Sequence, residues 1–224
     1  GRWRWLATSK DRALKLLLLA GVAGSAYVWI IIAISMGLNP WFSIRTGAFS
    51  DLGGPRAYDA WVYNVMGMMV TSALLMTFSC SLVALSENKV ETVGSAFFIV
   101  ASLFLFLIGY FHEGTYPHIF VSEFFFAQSD VSIGTFGLGL LLEKRQGLGS
   151  FSVVLSVVAP AIAAALTWPS TAILEAFGIG CIELWVVLTS LNLWRHARPQ
   201  PGRGYSGFPV LLELAQPAGS PCAQ

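Results

Sequence analysis

Ser50-Asp51-Leu52-Gly53-Gly54 and His112-Glu113-Gly114-Thr115-Tyr116-Pro117-His118, the second followed by Ser122 and Glu123, gather hydroxyls, carboxylates and imidazoles in an otherwise oily chain. Asp51, His118 and Glu113 are of the types that pass protons in a hydrolysis or an acyl transfer. His112, His118, Asp51 and Glu113 would also suffice as ligands for a zinc ion that activates water. The His–His spacing is not one of the strong zinc signatures, and Ser50-Asp51 reads equally well as the N-cap of a short helix. Arg45 and Arg56 flank the first stretch and could hold a lipid phosphate or anchor the chain at a membrane interface.

The elements that must position these groups follow from composition. Of 224 residues, 55% are hydrophobic and 11% charged, and the mean hydropathy is +0.68, so the bilayer is the natural solvent for most of the chain. Six continuously apolar runs, 13–37, 61–85, 92–111, 119–142, 150–167 and 171–194, each approach the ~20 helical residues needed to cross the hydrocarbon layer. A membrane barrel would instead need strands of alternating polarity. The fold class expected is therefore all-α, a polytopic bundle of six transmembrane helices. The first run is too long for a cleaved signal peptide and is read as retained; Gly1 stands where an initiator Met would, so the start reads as trimmed or as the end of a fragment.

Eleven of the 13 Lys and Arg residues precede or enter the first run, lie between runs two and three or four and five, or follow run six. Only Arg45 and Arg56 lie opposite. By the positive-inside rule both termini are cytoplasmic, and loops 1, 3 and 5 face outside a plasma membrane. Three regions are expected: a basic cytoplasmic segment 1–12, the transmembrane domain 13–194 with an ordered outer loop 38–60, and a Pro/Gly-rich cytoplasmic tail 195–224, read as disordered. Loop 1 is long among short connections, and Trp41, Phe42, Ile44, Phe49 and Leu52 would let it lie on the interface or tuck into the bundle. No basic patch interleaved with aromatics points to nucleic acid. Cys80, Cys181 and Cys222 offer neither a disulfide framework nor a metal spacing.

Helix 4 carries polarity inward. At 100° per residue His118, Ser122 and Ser129 share one line, and Glu123 and Asp130 a second, about 120 to 140° away. Asp130 falls near mid-membrane, Glu175 near the outer side of helix 6 and Glu183 near its middle, and helix 2 adds Asn64 and Thr71 on a common face. Ser, Thr and Asn in such places serve as interhelical hydrogen bonders. Three acids with no basic residue in any helix core point instead to a hydrated pocket opening outward.

Ser50-Asp51-Leu52-Gly53, Tyr63-Asn64, Gly109-Tyr110-Phe111-His112-Glu113 and His118-Ile119-Phe120-Val121-Ser122-Glu123-Phe124-Phe125 resemble the archaeal branch of prokaryotic six-helix membrane proteins known as domain-of-unknown-function family nine-nine-eight. The resemblance covers about residues 16–193; members commonly have Pro where this chain has His112, whereas Asp51, Glu113 and His118 match. That family is distantly similar to the Frag/DRAM/Sfk membrane proteins, which implies a role in lipid or glycolipid handling. A weaker likeness of its Ser, Asp and His pattern to the zinc-using ceramidase-like hydrolases implies metal-assisted lipid hydrolysis, although helix 6 here lacks the paired His of those enzymes.

Three readings follow. The first is a lipid-binding, assembly or trafficking protein whose outward-facing pocket, built from Ser50, Arg45, Arg56, Asn64, Ser122, Glu123, Asp130, Glu175 and Glu183, takes a lipid head group or small polar ligand. The second is a membrane-embedded hydrolase or acyltransferase, with or without zinc. The third is a proton-coupled carrier using Asp130, Glu175 and Glu183 as a relay. Membrane lipids are the expected partners, and a homo-oligomer is compatible with all three.

Overall fold

The computed structural model describes residues 2–196; the stretch from 197 on, with Cys222 and most of the tail expected from 195, lies outside the described residues. Helix α1 runs from Arg2–Leu38, so the basic segment and the first span form one continuous helix. A short 3-10 turn, Phe49–Gly53, lies within loop 1. The second span opens as a π-helix, Val62–Met69, and continues without a break as α2, Val70–Leu85. Then come α3 (Lys89–Tyr110), α4 (His118–Leu142), α5 (Gln146–Ala165) and α6 (Thr171–His196). Six of these segments are long and apolar enough to cross a membrane.

Short turns make sequential helices antiparallel neighbours, and α6 returns to pack against α1, α4 and α5. One end of the bundle carries loops 1, 3 and 5 and is called distal here; the proximal end carries loops 2 and 4 and the start of α1. Because lipid is as apolar as Leu, a membrane bundle is held by close packing and interhelical hydrogen bonds rather than by burial from water. The proximal half shows both. A Cβ on Gly94 would stand 2.5 Å from the backbone nitrogen of Phe136, and one on Gly139 would stand 2.6 Å from that of Glu91, so α3 and α4 touch backbone to backbone there. Ser132 donates to the Gly94 carbonyl at 2.8 Å across the same crossing. Asn88 accepts from the Val90 and Glu91 amides to cap α3 and donates to the Gly139 carbonyl, tying the cap to α4.

At mid-bundle four fully buried rings meet, Phe78 of α2, Phe98 of α3, Phe136 of α4 and Trp185 of α6. Their centroids lie 5.2–6.1 Å apart, and three of the four recorded pairs are edge-to-face, the arrangement the ring quadrupoles favour. Trp185 satisfies its indole N–H on Ser152 of α5 at 3.0 Å. This cluster is the floor on which the distal half stands.

Candidate functional site

Loop 1 folds back into the distal end and forms its ceiling. Asn39 organises the loop: its side chain donates to the Ser35 and Tyr58 carbonyls and accepts from the Tyr58 amide and the Trp41 indole. Phe49 is 1% exposed, stacked on Phe42 and edge-on to Trp29, and Leu52 is fully buried beside it in sequence. Ile44 remains outside. Of the two placements open to the loop's apolar residues, Phe49 and Leu52 take the inward one. The loop is also bonded to its surroundings through Ala172 N–H to the Gly47 carbonyl and Ser170 Oγ to the Ile44 carbonyl, and through Asn64 to the Gly53 carbonyl at 2.8 Å. A Cβ on Gly53 would collide with the Asn64 amide, which is why glycine is needed at this close approach.

Loops 1 and 3 meet, as a Cβ on Gly54 would contact Glu113 and one on Gly114 would contact Pro55. Gly114 has φ +88°, a conformation that side chains oppose. The residues expected to do chemistry are gathered at this end, each in a specific role. Asp51 accepts the Ala48 amide at 2.8 Å and so caps its own turn. His118 is buried, with Nδ1 2.7 Å from the Phe111 carbonyl and Nε2 3.1 Å from the Glu113 carboxylate. Ser122 Oγ lies 3.5 Å from the same Nε2. His112 turns its Nδ1 to the Glu113 carbonyl.

The zinc shell expected from His112, His118, Asp51 and Glu113 is not assembled. Among the described residues no group of three or more His, Cys, Asp or Glu side chains is arranged to hold a metal ion.

Below the ceiling and above the aromatic floor is a cavity, with about 60 Å³ of space open to the centres of water-sized molecules. By the usual requirement of about 10–15 Å³ per water it holds a few. Nine of its fifteen lining residues are apolar; the polar six are Ser50, Tyr63, Thr71, Ser122, Glu175 and Glu183. Glu175 and Glu183 each accept one hydrogen bond, from the Phe49 amide and the Trp29 indole respectively. Thr71 is 3% exposed and its Oγ1 has no partner.

The π-helical opening of the second span positions several of these groups. Buried residues there fall in adjacent pairs four apart, Tyr63-Asn64, Gly67-Met68 and Thr71-Ser72, a spacing wider than the 3.6 of an α-helix. The wider turn keeps one face inward, and π segments of this kind are common at functional sites. α3 follows the bulge closely, since a Cβ on Gly109 would strike the Asn64 carbonyl.

Several residues expected in the pocket lie elsewhere. Arg45 is exposed, and Arg56 is exposed with its guanidinium 4.6 Å over the Trp41 ring, an interfacial cation–π contact. Glu123 is exposed, so the second polar line of α4 turns away from the cavity. Asp130 is half-buried near Cys181 of α6, outside the cavity lining. Asn64 is buried but spends its amide on loop 1. Three contributors were not singled out as site residues from sequence: Tyr63, Trp29 and Thr71. Thr71 had a signal, its common face with Asn64; nothing in the apolar first span marked Trp29.

Six apolar spans enclosing a cavity with carboxylates define a multi-pass membrane protein. The chain belongs to the family described as Protein of unknown function (DUF998), whose model matches residues 22–192 and so reaches all six spans. No curated protein and no solved structure matches the chain.

Proposed function

We propose that the protein is a binding protein of the cell membrane whose distal cavity opens outward and takes a small polar ligand or the polar end of a lipid. The single observation that carries this reading is the cavity itself, with Ser50, Thr71, Ser122, Glu175 and Glu183 under one ceiling and the aromatic cluster beneath them. Outward orientation rests on the charge asymmetry of the sequence, in which only Arg45 and Arg56 of the 13 basic residues lie in loops 1, 3 and 5. Mixed apolar and polar lining is the usual make-up of a ligand site. The volume suits a few heavy atoms rather than a whole lipid head group with its phosphate.

The test is native mass spectrometry of the full chain released from nanodiscs formed directly from cell membranes. The wild type carries a small co-purifying species that Glu183→Gln loses, with its helical content by circular dichroism unchanged. A bare wild-type protein, or an adduct indifferent to Glu183→Gln, overturns the reading.

A second reading, a serine hydrolase of membrane lipids, is favoured by Ser122. Its hydroxyl lines the cavity and lies 3.5 Å from His118 Nε2. The Phe111 carbonyl, 2.7 Å from Nδ1, favours the tautomer that leaves Nε2 free to accept the Ser122 proton. Glu113 sits on that same nitrogen and would have to swing away. Under this reading Ser122→Ala abolishes lipid turnover by the reconstituted protein; turnover that survives the substitution contradicts it.

A further inference from the structure

We propose that Asp130, which lies outside the cavity, is the docking point for a transmembrane helix of a partner protein that carries a Lys or Arg near its middle. The starting point is one face of α4. At 100° per residue Ile119, Glu123 and Gly137 each point within about 20° of Asp130. Toward the proximal end α5 covers this face: a Cβ on Gly134 would stand 2.7 Å from Ser156 Oγ, and one on Gly137 would stand 2.6 Å from Ser152 Cβ. Toward the distal end the face is bare, with Ile119 67% exposed and Glu123 exposed as well. Asp130 stands where the cover stops, half-buried and beside Cys181 of α6.

Charge says what covers the bare half. Asp130 lies about 18 Å below the distal end of α4, near the centre of a hydrocarbon layer ~30 Å thick. Among the described residues neither a hydrogen bond nor a charged group stabilises its carboxylate. An ionised carboxylate at that depth is costly without a counter-charge. The chain has none to give: Lys89 and Arg195 stand at the proximal ends of their spans, and no Lys or Arg lies deeper in any span. A second copy of the chain therefore cannot supply the cation either. Lipid head groups stay at the interface, half a bilayer away. A basic side chain on a neighbouring helix reaches the depth that they do not. The backbone of α5 adds an acceptor of its own. Pro160 has no N–H to give the Ser156 carbonyl, and that carbonyl points distally, from the Gly134 contact toward the level of Asp130. An ammonium or guanidinium group has donors enough for both acceptors, and an apolar helix has none.

Synthetic transmembrane peptides of Leu and Ala, with Lys, Leu or Glu as the central residue, test the inference. Each is titrated at neutral pH against the full chain in liposomes, and association is read by energy transfer between labelled protein and labelled peptide. The Lys peptide is expected to bind about tenfold more tightly than the Leu peptide. Asp130→Asn removes the charge without removing a hydrogen bond, and should bring the Lys peptide down to the level of the Leu peptide with helical content by circular dichroism unchanged. Asp130→Glu should retain the preference. Equal binding of the Lys and Leu peptides to the wild type, or a preference that survives Asp130→Asn, overturns the inference. Binding of the Glu peptide as tight as that of the Lys peptide overturns it too, because Asp130 would then act as a neutral hydrogen-bonding group.

Discussion

The two halves of the bundle are built on opposite terms. In the proximal half Gly94 and Gly139 bring backbones into contact, Asn88 and Ser132 bond across the α3–α4 interface, and four aromatic rings close the centre. In the distal half the second span is π-helical, a loop supplies the ceiling, and two carboxylates line a cavity. Close packing is what stabilises helices in lipid, so the distal half gives up stability that the proximal half supplies. Local concessions of this kind concentrate at functional sites.

The contrast can be broken by substitution. Phe78→Ala removes a ring at 0% exposure from the aromatic floor and should cost the most, about 3 kcal/mol of unfolding free energy, measured by steric trapping in bicelles. Gly94→Ala forces α3 from the backbone of Phe136 and should cost about 2 kcal/mol. Asn64→Leu leaves the Gly53 carbonyl without its donor, with an expected loss of about 1 kcal/mol and faster amide exchange confined to loop 1. Thr71→Val should be the smallest, near zero or slightly stabilising in ligand-free protein, because it removes a hydroxyl that has no partner. A reversed order, with Thr71→Val costing more than Gly94→Ala, would mean that the distal polar groups are structural glue.

Sequence reading reached the six spans because continuous hydrophobic runs report directly on a membrane solvent, and it reached the meeting of loops 1 and 3 because both join spans on one side. It placed Ser50, Ser122, Glu175 and Glu183 in one pocket, where they are found. Glu123 and Asp130 were misplaced for a definable reason. A helical wheel gives angles between residues on one helix, but not which angle faces a neighbour. Arg56 was ambiguous until Trp41 was seen beneath it. The π-helix left no mark in a sequence that is apolar on every side, and Trp29 became a site residue only when α6 brought Glu183 against it from 154 residues away. Among the described residues the four polar residues read as a ligand shell do not form a group arranged to hold a metal ion, because spacing along the chain does not fix how side chains converge.

The central claim is that a cavity opens from the distal, outer side and ends at the aromatic floor. Cysteine accessibility measures this directly: in a chain freed of its native cysteines, Thr71→Cys and Phe98→Cys are each exposed in intact cells to a small, cationic, membrane-impermeant thiol reagent. Thr71→Cys should react, while Phe98→Cys should stay unlabelled until the protein is denatured. Equal labelling of the two positions, or no labelling at Thr71→Cys, would contradict the account.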